Sequence, residues 1–547
     1  MRRLTRRGGV LAAAGLAAGL ILAGPGAASA TAGCPAWDGT PPASPSGPNG
    51  GNDILSGIAV VSSCYVWAAG ITESASGADH TLAERWTGGG NWAVMPTPTP
   101  AGARTINMGA VVADSAADAW LPGSYVDDST GTDHGLLLRW DGSSWAQVAL
   151  PVSTAHLGAV AAVSPSDVWV TGTGPDGAVL LLHYDGSGWI QWPVPAITPG
   201  GTFQRISLWG MSATSARDVW AVGEFTLGFS SRDIPLTLHW DGSAWSQVPA
   251  PDATPPDDDL GTTLRSVSAI SPADAWAVGG SDEDASTVIM RWDGHSWTVV
   301  PSPDPAAVSG GDNLNYFTGV AAVSASSAWA VGGYGSEHSG VTLADHNLVA
   351  HWDGRNWTQV PVFSPGKVEN VLKAVAASPA GFAWAAGIAS DQFFSSQRTA
   401  VTVTGAVPNV VGDSQAAATD AMDSAGLNTR VTTVTTAGGG CGPAANGTII
   451  ATTPAAGTFT APPVTMTFCD FPPVVTVPSV VGLADNQAQG TLTNAGLTTG
   501  TITLSGNCSF DPGTVLRQTP AANTTASRGT AVNLVEATPP KPHGCAQ

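Results

Sequence analysis

Two short acidic clusters are the groups in this 547-residue sequence best suited to bind a metal ion or a substrate: Asp257-Asp258-Asp259 and Asp282-Glu283-Asp284. Calcium prefers carboxylate oxygens of this kind. Paired carboxylates also cleave glycosidic bonds when they stand at a suitable separation. Solvated acidic loops have the same composition. We therefore treat these six residues as a candidate binding rim and expect no cofactor, with calcium at the same residues as the alternative.

Other polar residues recur at fixed positions and suggest structure rather than chemistry. Five aspartates each precede a glycine between two apolar segments, which predicts turn capping: Asp141, Asp185, Asp241, Asp293 and Asp353. Three histidines occupy one repeated position and alternate there with Arg139 and Arg291: His183, His239 and His351. Because arginine does not replace a metal-ligating histidine, we expect no metal at this position.

The elements that must position these residues form an internal repeat. One tryptophan recurs every 49 to 56 residues, at Trp67, Trp120, Trp169, Trp220, Trp276, Trp329 and Trp384. A second signature follows it, as in Trp140-Asp141-Gly142-Ser143-Ser144-Trp145. Each unit holds four short segments with the alternation of β-strands. Four strands per unit of about 50 residues predict a blade of a β-propeller, and seven units predict seven blades.

The unit resembles a kelch repeat. The resemblance rests on Trp329-Ala330-Val331-Gly332-Gly333-Tyr334, followed by His351-Trp352 and Trp357. Most copies keep only the first glycine, and the Trp-Asp-Gly turn is particular to this chain. The resemblance covers residues 34–404 and implies a fold rather than an activity.

The seventh unit lacks a fourth strand, and the N-terminal region offers one. Trp37-Asp38-Gly39-Thr40-Pro41 has the tryptophan-to-proline spacing of the other fourth strands. We therefore predict that the N-terminal segment closes the ring on blade seven. Length varies mainly in the connections from the second to the third strand and from one unit to the next. Both emerge on the same face, so that face is the predicted binding surface.

The N-terminus reads as an export signal. Four arginines precede an apolar run from Val10 to Ala23 and then Ala28-Ser29-Ala30, which predicts cleavage after Ala30. Thr5-Arg6-Arg7 also resembles a twin-arginine signal. Thr31-Ala32-Gly33-Cys34 is similar to a lipobox, so lipidation of Cys34 is an alternative. Cleavage changes the net charge from −21 to −25 and leaves no transmembrane segment in the mature chain. Such an acidic protein has no cationic face for nucleic acid.

Six cysteines in an exported chain suggest three disulfides. They group by proposed domain as Cys34 with Cys64, Cys441 with Cys469, and Cys508 with Cys545. We predict these pairs, although the sequence leaves other connectivities open.

After Gly405 tryptophan disappears, and two further copies of a different unit follow. Val407-Pro408-Asn409-Val410-Val411-Gly412 matches Val477-Pro478-Ser479-Val480-Val481-Gly482. A short helix follows each, with apolar positions at Ala418, Met422 and Ala425 and at Ala488, Leu492 and Ala495. Gly426 and Gly496 are placed to end these helices. Thr453–Thr458 then matches Thr519–Thr524, with Asn523 in place of a turn glycine.

These features resemble PASTA domains over residues 406–470 and 476–536. The resemblance implies affinity for peptidoglycan or its stem peptides; a rigid spacer is the alternative. The chemistry that usually accompanies PASTA domains is missing. Ser364-Pro365-Gly366-Lys367 matches Ser-x-x-Lys only by chance, Lys-Thr-Gly is absent, and so are kinase motifs.

The sequence thus predicts a mainly β chain, with a seven-bladed propeller of four-stranded blades followed by two small α+β PASTA domains. The expected limits are 1–30 for the signal, 31–404 for the propeller, 405–470 and 471–539 for the PASTA domains, and 540–547 for the tail. We expect an exported, non-catalytic protein of the cell wall or extracellular space. Its expected partners are peptidoglycan or cell-wall fragments, and a protein or glycan on the propeller. A secreted carbohydrate-active enzyme with its site on the rim is the alternative.

Overall fold

The structure is a computed structural model that describes residues 51–538, together with Pro42 and residues 44–46. Within 51–538 it leaves out residues 63, 75, 89–91, 153–155, 199–202, 228–231, 255–260, 282–285, 306–312, 339–340, 363, 379–381, 392–397, 425–426, 428, 436–440, 442–444, 457–458, 461–462, 471–473 and 508.

Seven antiparallel sheets, blades 1 to 7, occupy the described residues up to Ala406, and consecutive strands pair in each. Blade 1 contains β1 (Asp53–Ser62), β2 (Tyr65–Glu73), β3 (Asp79–Trp86) and β4 (Trp92–Val94). Blade 2 contains β5 (Ala103–Met108), β6 (Val112–Ser115), β7 (Asp118–Asp127), β8 (Asp133–Trp140) and β9 (Trp145–Gln147). Blade 3 contains β10 (His156–Ser164), β11 (Asp167–Thr173), β12 (Val179–Tyr184) and β13 (Trp189–Trp192). In blade 2 the first strand is split into β5 and β6.

The remaining blades repeat the arrangement. Blade 4 contains β14 (Phe203–Ser215), β15 (Asp218–Leu227), β16 (Ile234–Trp240) and β17 (Trp245–Gln247), and blade 5 contains β18 (Thr262–Ser271), β19 (Asp274–Ser281), β20 (Ser286–Trp292) and β21 (Trp297–Val299). Blade 6 contains β22 (Asn313–Ser324), β23 (Ser327–His338), β24 (Val341–Trp352) and β25 (Trp357–Gln359). Blade 7 contains β26 (Glu369–Ala377), β27 (Phe382–Ser390) and β28 (Arg398–Ala406).

The C-terminal region holds two smaller units. The first contains α1 (Gln415–Ser424), β29 (Thr429–Val434), β30 (Thr448–Thr453), β31 (Phe459–Thr460) and β32 (Val464–Cys469). The second contains β33 (Val474–Thr476), α2 (Asp485–Asn494), β34 (Thr498–Gly506), β35 (Val515–Thr519), β36 (Thr525–Ser527) and β37 (Ala531–Thr538).

The first strand of every blade lies at the centre of a closed ring. β1 contacts β6, β6 contacts β10, and the contacts continue through β14, β18, β22 and β26 back to β1. Successive sheets therefore surround a common axis, which is the architecture of a β-propeller. The predicted seven-bladed, mainly β fold with C-terminal α+β units is confirmed.

Tryptophan contacts join each blade to the next. The ring of Trp67 in β2 lies 5.1 Å from Trp140 and 5.2 Å from Trp145 of blade 2, measured between ring centroids. Corresponding contacts join blades 2 to 3, 3 to 4, 4 to 5 and 5 to 6. Trp384 of blade 7 contacts Trp86 of blade 1 at 5.2 Å, which closes the ring. The repeated tryptophans are thus core residues, as buried aromatic pairs usually are.

The repeated Arg/His position on the third strand stacks on the tryptophan of its own blade. The guanidinium of Arg291 lies 4.9 Å from the centre of Trp276, and Arg291 Nε donates to Asp274 at 3.0 Å. His239 lies 4.4 Å from Trp220, and its Nε2 pairs with Asp218 at 2.7 Å. Both side chains are planar donors, so arginine and histidine serve equally well. The position is structural, as expected.

The repeated Asp-Gly turns are capped by their own aspartates. Asp241 Oδ1 accepts hydrogen bonds from the backbone N–H groups of Ser243 at 2.8 Å and Ala244 at 3.0 Å. Gly242 has φ +93°, a conformation that favours glycine. The other four aspartates make the same bonds. The hydrogen bond from the Ser243 hydroxyl has the largest effect on the Asp241 carboxylate, and together with the bonds from the backbone N–H groups of Ala244 and Ser243 it lowers the pKa of Asp241 to about 2. The prediction of turn capping is confirmed.

A β-bulge interrupts the first strand of every blade. In blade 5, Leu264 pairs with Gly279 and Ser266 pairs with Val278, so Arg265 is the extra residue of the bulge. The bulge brings a backbone carbonyl of the first strand against the glycine that follows each repeated tryptophan. A Cβ on Gly279 would lie 1.9 Å from the carbonyl oxygen of Thr263, and the equivalent glycines of the other blades are as crowded. This contact explains why every repeat keeps that glycine.

The predicted closing strand at Trp37–Pro41 lies outside the described residues, so ring closure by the N-terminus stays a prediction. The residues that follow it do contact blade 7. Thr399 Oγ1 in β28 donates to the carbonyl oxygen of Pro42 at 3.2 Å and lies 3.2 Å from Ser44 Oγ.

Strand β28 also extends into the first C-terminal unit. Its last two residues, Gly405 and Ala406, pair with Thr460 and Phe459 of β31. One continuous strand therefore crosses the expected boundary between residues 404 and 405.

Each C-terminal unit has its own core around one helix. Ala418 and Met422 of α1 are fully buried, as are Ala488 and Leu492 of α2. Gly496 has φ +76°, and the Leu497 N–H bonds to the Leu492 carbonyl, which ends α2 in a Schellman motif. Gly426 lies outside the described residues. Among the described residues, no helix is long and apolar enough to span a membrane.

One predicted disulfide is confirmed. Cys441 and Cys469 are bonded, with 5.3 Å between their Cα atoms. Cys64 lies in the turn between β1 and β2 and is disulfide-bonded, but Cys34 lies outside the described residues. Cys508 and Cys545 also lie outside them, so both of these pairings stay predictions.

The crowded glycine gives a direct test of the bulge. A Cβ on Gly332 would lie 2.0 Å from the carbonyl oxygen of Tyr316. We expect Gly332→Ala to lower the free energy of unfolding by about 2 kcal/mol or more, because the bulged strand must shift. Urea denaturation measures this. Gly188→Ala is the control, since a Cβ there meets no atom within 4 Å. Equal losses in both variants would contradict the role given to the bulge.

His351 in blade 6 has a lowered pKa, and its surroundings allow the cause of that shift to be tested. Here serine replaces the aspartate, and His351 Nε2 lies 3.2 Å from Ser327 Oγ. Burial lowers the pKa of His351 from 6.5 to about 4, which the Asp353 carboxylate only partly opposes. The neutral form is favoured on folding, so this stability is present above pH 6.5 and is lost as pH falls through about 4.

We expect Ser327→Asp to raise the pKa of His351, because a carboxylate stabilises the imidazolium. An NMR titration of the His351 ring protons measures the pKa. Ser327→Asn is the matched control without charge, and an equal rise in that variant would disprove the electrostatic explanation.

Candidate functional site

The two predicted acidic clusters fall on residues 255–260 and 282–285, outside the described part of the chain. Their described neighbours Thr262 and Ser281 are partners in the ladder between β18 and β19. Both clusters therefore attach at the same end of blade 5, and their role in a binding rim stays a prediction. Among the described residues, no group of three or more His, Cys, Asp or Glu side chains is arranged to hold a metal ion.

The bulges place one extra residue per blade around the axis. The bulges of four consecutive blades, 4 to 7, carry Trp, Arg, Thr and Lys side chains, whereas those of the other three blades carry serine or glycine. In blade order from blade 1 the residues are Ser56, Gly109, Gly158, Trp209, Arg265, Thr318 and Lys373. We call this set the bulge ring. The larger side chains of the bulge ring thus belong to blades 4 to 7.

Arg265 of the bulge ring stacks on an aromatic ring of the neighbouring blade. The guanidinium of Arg265 lies 4.7 Å from the ring centre of Tyr316 in blade 6. Burial lowers the pKa of Lys373 in blade 7; Glu369 opposes this shift, and the positive charge of Arg265 adds to it.

A cavity of about 490 Å³ opens at one end of the axis, between blades 4 and 5. Its lining residues are Arg205, Trp209, Glu224, Asp233, Thr263 and Arg265. These residues stand near the start of β14 and β18, the end of β15 and the start of β16. That is the face with the variable connections, where the sequence predicts the binding surface. We call this opening the axial cavity.

The indole of Trp209 is hydrogen-bonded through the nitrogen at its edge, while much of the side chain is exposed to solvent. Its Nε1 donates to Glu224 Oε2 at 2.6 Å, yet the residue remains 51% exposed. Glu224 itself is only 2% exposed, and burial raises its pKa although Trp209 and Arg205 act to lower it. A buried carboxylate therefore fixes the orientation of an exposed aromatic ring.

Ion pairs hold the wall beside Trp209. Arg205 lies 3.4 Å from Glu224 and 2.8 Å from Asp233, so one guanidinium links two carboxylates. Thr263 Oγ1 donates to Asp233 at 3.3 Å, which connects blade 4 with blade 5. The cavity therefore combines an aromatic face with donors and acceptors that are already oriented.

The connections beside the cavity are also linked to each other. Arg232 NH2 donates to Asp252 Oδ2 at 2.7 Å, and Thr262 Oγ1 donates to Asp252 Oδ1 at 2.8 Å. These bonds join the connection before β16 to the connection before β18. The described part of the rim is thus organised before any ligand arrives.

Sequence reasoning predicted the face but missed the residues of this site. It selected acidic runs, which are conspicuous in a chain of low charge. The axial cavity is instead built from single residues that lie far apart in sequence. One signal could have found them: aligning the seven repeats places Trp209, Arg265 and Lys373 in one column, directly after a buried leucine.

Comparison with known proteins identifies the C-terminal region. The family model of the PASTA domain matches residues 405–464 and 475–537. The chain carries two PASTA domains. The matches coincide with the two units that have separate cores around α1 and α2. The predicted resemblance is thereby confirmed.

Solved structures resemble the two parts separately. YCF48 from Cyanidioschyzon merolae is 14% identical, with a TM-score of 0.38, over 62% of this chain and 93% of its own. A fucose-specific lectin from Aleuria aurantia is 13% identical, with a TM-score of 0.35, over 58% and 96%. The three-PASTA-domain region of a Staphylococcus aureus Ser/Thr kinase is 24% identical, with a TM-score of 0.15, over 24% and 66%. These similarities are too low to indicate a ligand. No curated protein matches the chain significantly.

The Trp209–Glu224 bond predicts a pH-dependent signal. Because burial raises the pKa of Glu224 above its ordinary 4.5, the carboxyl becomes neutral, and a weaker acceptor, at a higher pH than an exposed glutamate. The indole N–H resonance of Trp209, assigned with Trp209→Phe, should shift with a midpoint above 4.5. Nitrogen-15 NMR of tryptophan-labelled protein measures it. Glu224→Gln should abolish the shift, and a midpoint at or below 4.5 would contradict the burial of this group.

Proposed function

We propose that this protein is an exported, non-catalytic component of the cell envelope. Its PASTA domains bind peptidoglycan, and its propeller recognises a second ligand at the axial cavity. The observation that carries the proposal is the pair of PASTA domains on a propeller with a preformed aromatic cavity. PASTA domains belong outside the cytoplasm, and the Cys441–Cys469 disulfide is consistent with export.

Two PASTA domains in one chain favour attachment to a polymeric surface. Both can engage neighbouring units of the same polymer, and the second contact is then intramolecular. Modest affinity in each domain is sufficient for lasting attachment. A free small molecule in solution would gain nothing from this duplication.

The propeller supplies recognition rather than attachment in this proposal. Its opposite face carries the short turns capped by Asp141 and its counterparts, which hardly vary between blades. The axial cavity lies on the other face, among connections of varied length. Variable loops on a rigid scaffold are a common place for specificity.

A carbohydrate-active enzyme is the second candidate, and Glu224 with Asp233 is the observation that favours it. A carboxyl with a raised pKa beside a second carboxylate is a pattern found in glycosidases. However, both oxygens of Glu224 are engaged, one by Trp209 and one by Arg205, and the residue is 2% exposed. A general acid must reach the glycosidic oxygen. We therefore favour binding over catalysis.

Co-sedimentation with purified insoluble peptidoglycan tests the attachment. The comparison uses the exported chain and the same chain ending at Asp470, which lacks the second PASTA domain. Ending at residue 404 is unsuitable, because β28 continues to Ala406. We expect the shortened chain to bind ~10-fold more weakly or worse, because the bivalent gain is lost.

Insoluble chitin is the control surface, because it is a polymer of N-acetylglucosamine that lacks both N-acetylmuramic acid and stem peptides. Neither chain should pellet with it. If the exported chain does not pellet with peptidoglycan, the PASTA domains are spacers and the proposed attachment is wrong. Chain-length analysis of soluble glycans after incubation checks for turnover, and products would favour the enzyme.

A further inference from the structure

Trp209 presents carbon surface to the axial cavity in a fixed orientation. The only polar atom of its indole, Nε1, donates to Glu224 at 2.6 Å, and the residue is still 51% exposed. Because that N–H group is already bonded, the ring offers a ligand mainly its apolar carbons. Glu224 is 2% exposed, so the acceptor that orients the ring is itself held in the protein before any ligand binds.

An oriented donor and an oriented acceptor lie beside this aromatic surface. The guanidinium of Arg205 lies 2.8 Å from Asp233 and 3.4 Å from Glu224, the carboxyl group that holds Trp209. Thr263 Oγ1 also donates to Asp233, at 3.3 Å. Two neighbouring hydroxyl groups match such a pair, because a hydroxyl group can both donate and accept a hydrogen bond.

We propose that the axial cavity binds a neutral hexopyranose of a polysaccharide, with the C–H groups of the sugar ring on Trp209 and two vicinal hydroxyl groups on Arg205 and Asp233. This ligand class rests on the proposed recognition role of the propeller and makes it more specific. The electron-rich face of an indole attracts polarised C–H groups, and hydrogen bonds to charged side chains are the stronger ones. The cavity of about 490 Å³ lies within the range of about 300–1,000 Å³ that is usual for small-ligand sites.

The charges of the lining favour a neutral sugar over a uronic acid. The described lining residues comprise two arginines and two carboxyl groups, so their formal charges balance. Arg205 already links both carboxyl groups, and the guanidinium of Arg265 stacks 4.7 Å from the ring centre of Tyr316. A carboxylated ligand would have to compete with Glu224 and Asp233 for Arg205, which leaves a buried charge without its partner. Hydroxyl groups can join these bonds without separating the charges.

The polar character of the lining favours a hexose without an acetamido group. Among the described lining residues, Trp209 is the only one with a mainly apolar side chain. The methyl group of an N-acetylated sugar, or an aliphatic side chain of a peptide, would find no second apolar contact there. The ligand therefore differs from the glycan strands of peptidoglycan, whose sugars are N-acetylated. A protein with this site and two PASTA domains would join two different polymers of the envelope.

The experiment titrates matched sugars into the full exported chain. The methyl glycosides of glucose, galactose and mannose are each compared with the N-acetylated sugar and the uronic acid of the same configuration. Isothermal calorimetry gives the affinities, and saturation-transfer NMR identifies the sugar protons that contact the protein. The three hexoses together present both cis and trans vicinal hydroxyl pairs. We expect at least one hexoside to bind ~10-fold more tightly than its N-acetylated and its carboxylated counterparts.

Three variants locate the site. Trp209→Ala should weaken binding of that hexoside by ~10-fold or more and abolish saturation transfer to its ring C–H protons, because the stacking surface is lost. Trp209→Phe keeps an aromatic ring and should retain more of the affinity than alanine does. Asp233→Asn should weaken binding by ~10-fold, because the acceptor loses its charge.

Phe510→Ala is the matched control for the loss of an exposed aromatic ring. Phe510 is 50% exposed, much like Trp209, but it belongs to the second PASTA domain. Its removal should leave hexoside binding unchanged.

The comparison of sugars on the wild type needs no variant, so failure of a variant to fold leaves the proposal testable. Absence of binding for all three hexosides would overturn it, and so would tighter binding of the N-acetylated or carboxylated sugars. Unchanged binding in a folded Trp209→Ala variant would likewise reject the site.

Failure of this inference is distinguishable from failure of the proposed attachment. Pelleting with peptidoglycan that depends on residues 471–547, without binding of any hexoside, would leave the PASTA role intact and reject the hexose site. Hexoside binding that depends on Trp209, without pelleting, would retain the site and reject the attachment.

Discussion

The contact between tryptophans of neighbouring blades is the interaction on which the propeller depends. In blades 1 to 5 the strand-two tryptophan contacts aromatic rings of the next blade, and in blades 1 to 6 the planar Arg or His of its own blade stacks upon it. A buried tryptophan removes about 150–250 Å² from water, and this gain is obtained again at each interface. These contacts join blades 1 to 6 in turn and blade 7 to blade 1, so opening the ring at any of these interfaces exposes buried tryptophan. The pair formed by Trp384 and Trp86 is therefore as important as any within the repeat.

The bulge separates two parts of the first strand of each blade: residues that pack against the preceding blade and a residue that is available for binding a ligand. The leucine before the bulge, such as Leu264, is buried against the preceding blade, and the glycine opposite it accepts a backbone carbonyl at close range. The bulged residue is the extra residue of the strand and takes no part in the tryptophan contacts. Its identity varies from serine in blade 1 to tryptophan in blade 4. The propeller can acquire a site at its axis without altering the interfaces that stabilise it.

The sequence was sufficient to predict the architecture because the repeats preserve residues that pack. The seven tryptophans, the Asp-Gly turns and the buried helix positions Ala418, Met422, Ala488 and Leu492 lie where their spacing indicates. The site was less accessible. Trp209 and Glu224 are fifteen residues apart, and their hydrogen bond depends on a register shift of one residue that no pattern of alternation reveals. The acidic runs are conspicuous from composition alone, whereas Trp209 and Arg265 line one cavity only because blades 4 and 5 bring them together.

Strand β28 belongs to two domains at once, since it forms the third strand of blade 7 and then pairs with β31. A protein anchored by its tail and holding a ligand at its other end is under tension whenever the two are pulled apart. That force enters the propeller along β28 and acts on the blade whose outer strand the N-terminus is predicted to provide. Blade 7, at which the ring is predicted to close, is then also the blade to which the C-terminal units are connected. Under an applied force this blade would open first, and the predicted disulfide between Cys34 and Cys64 would resist that opening.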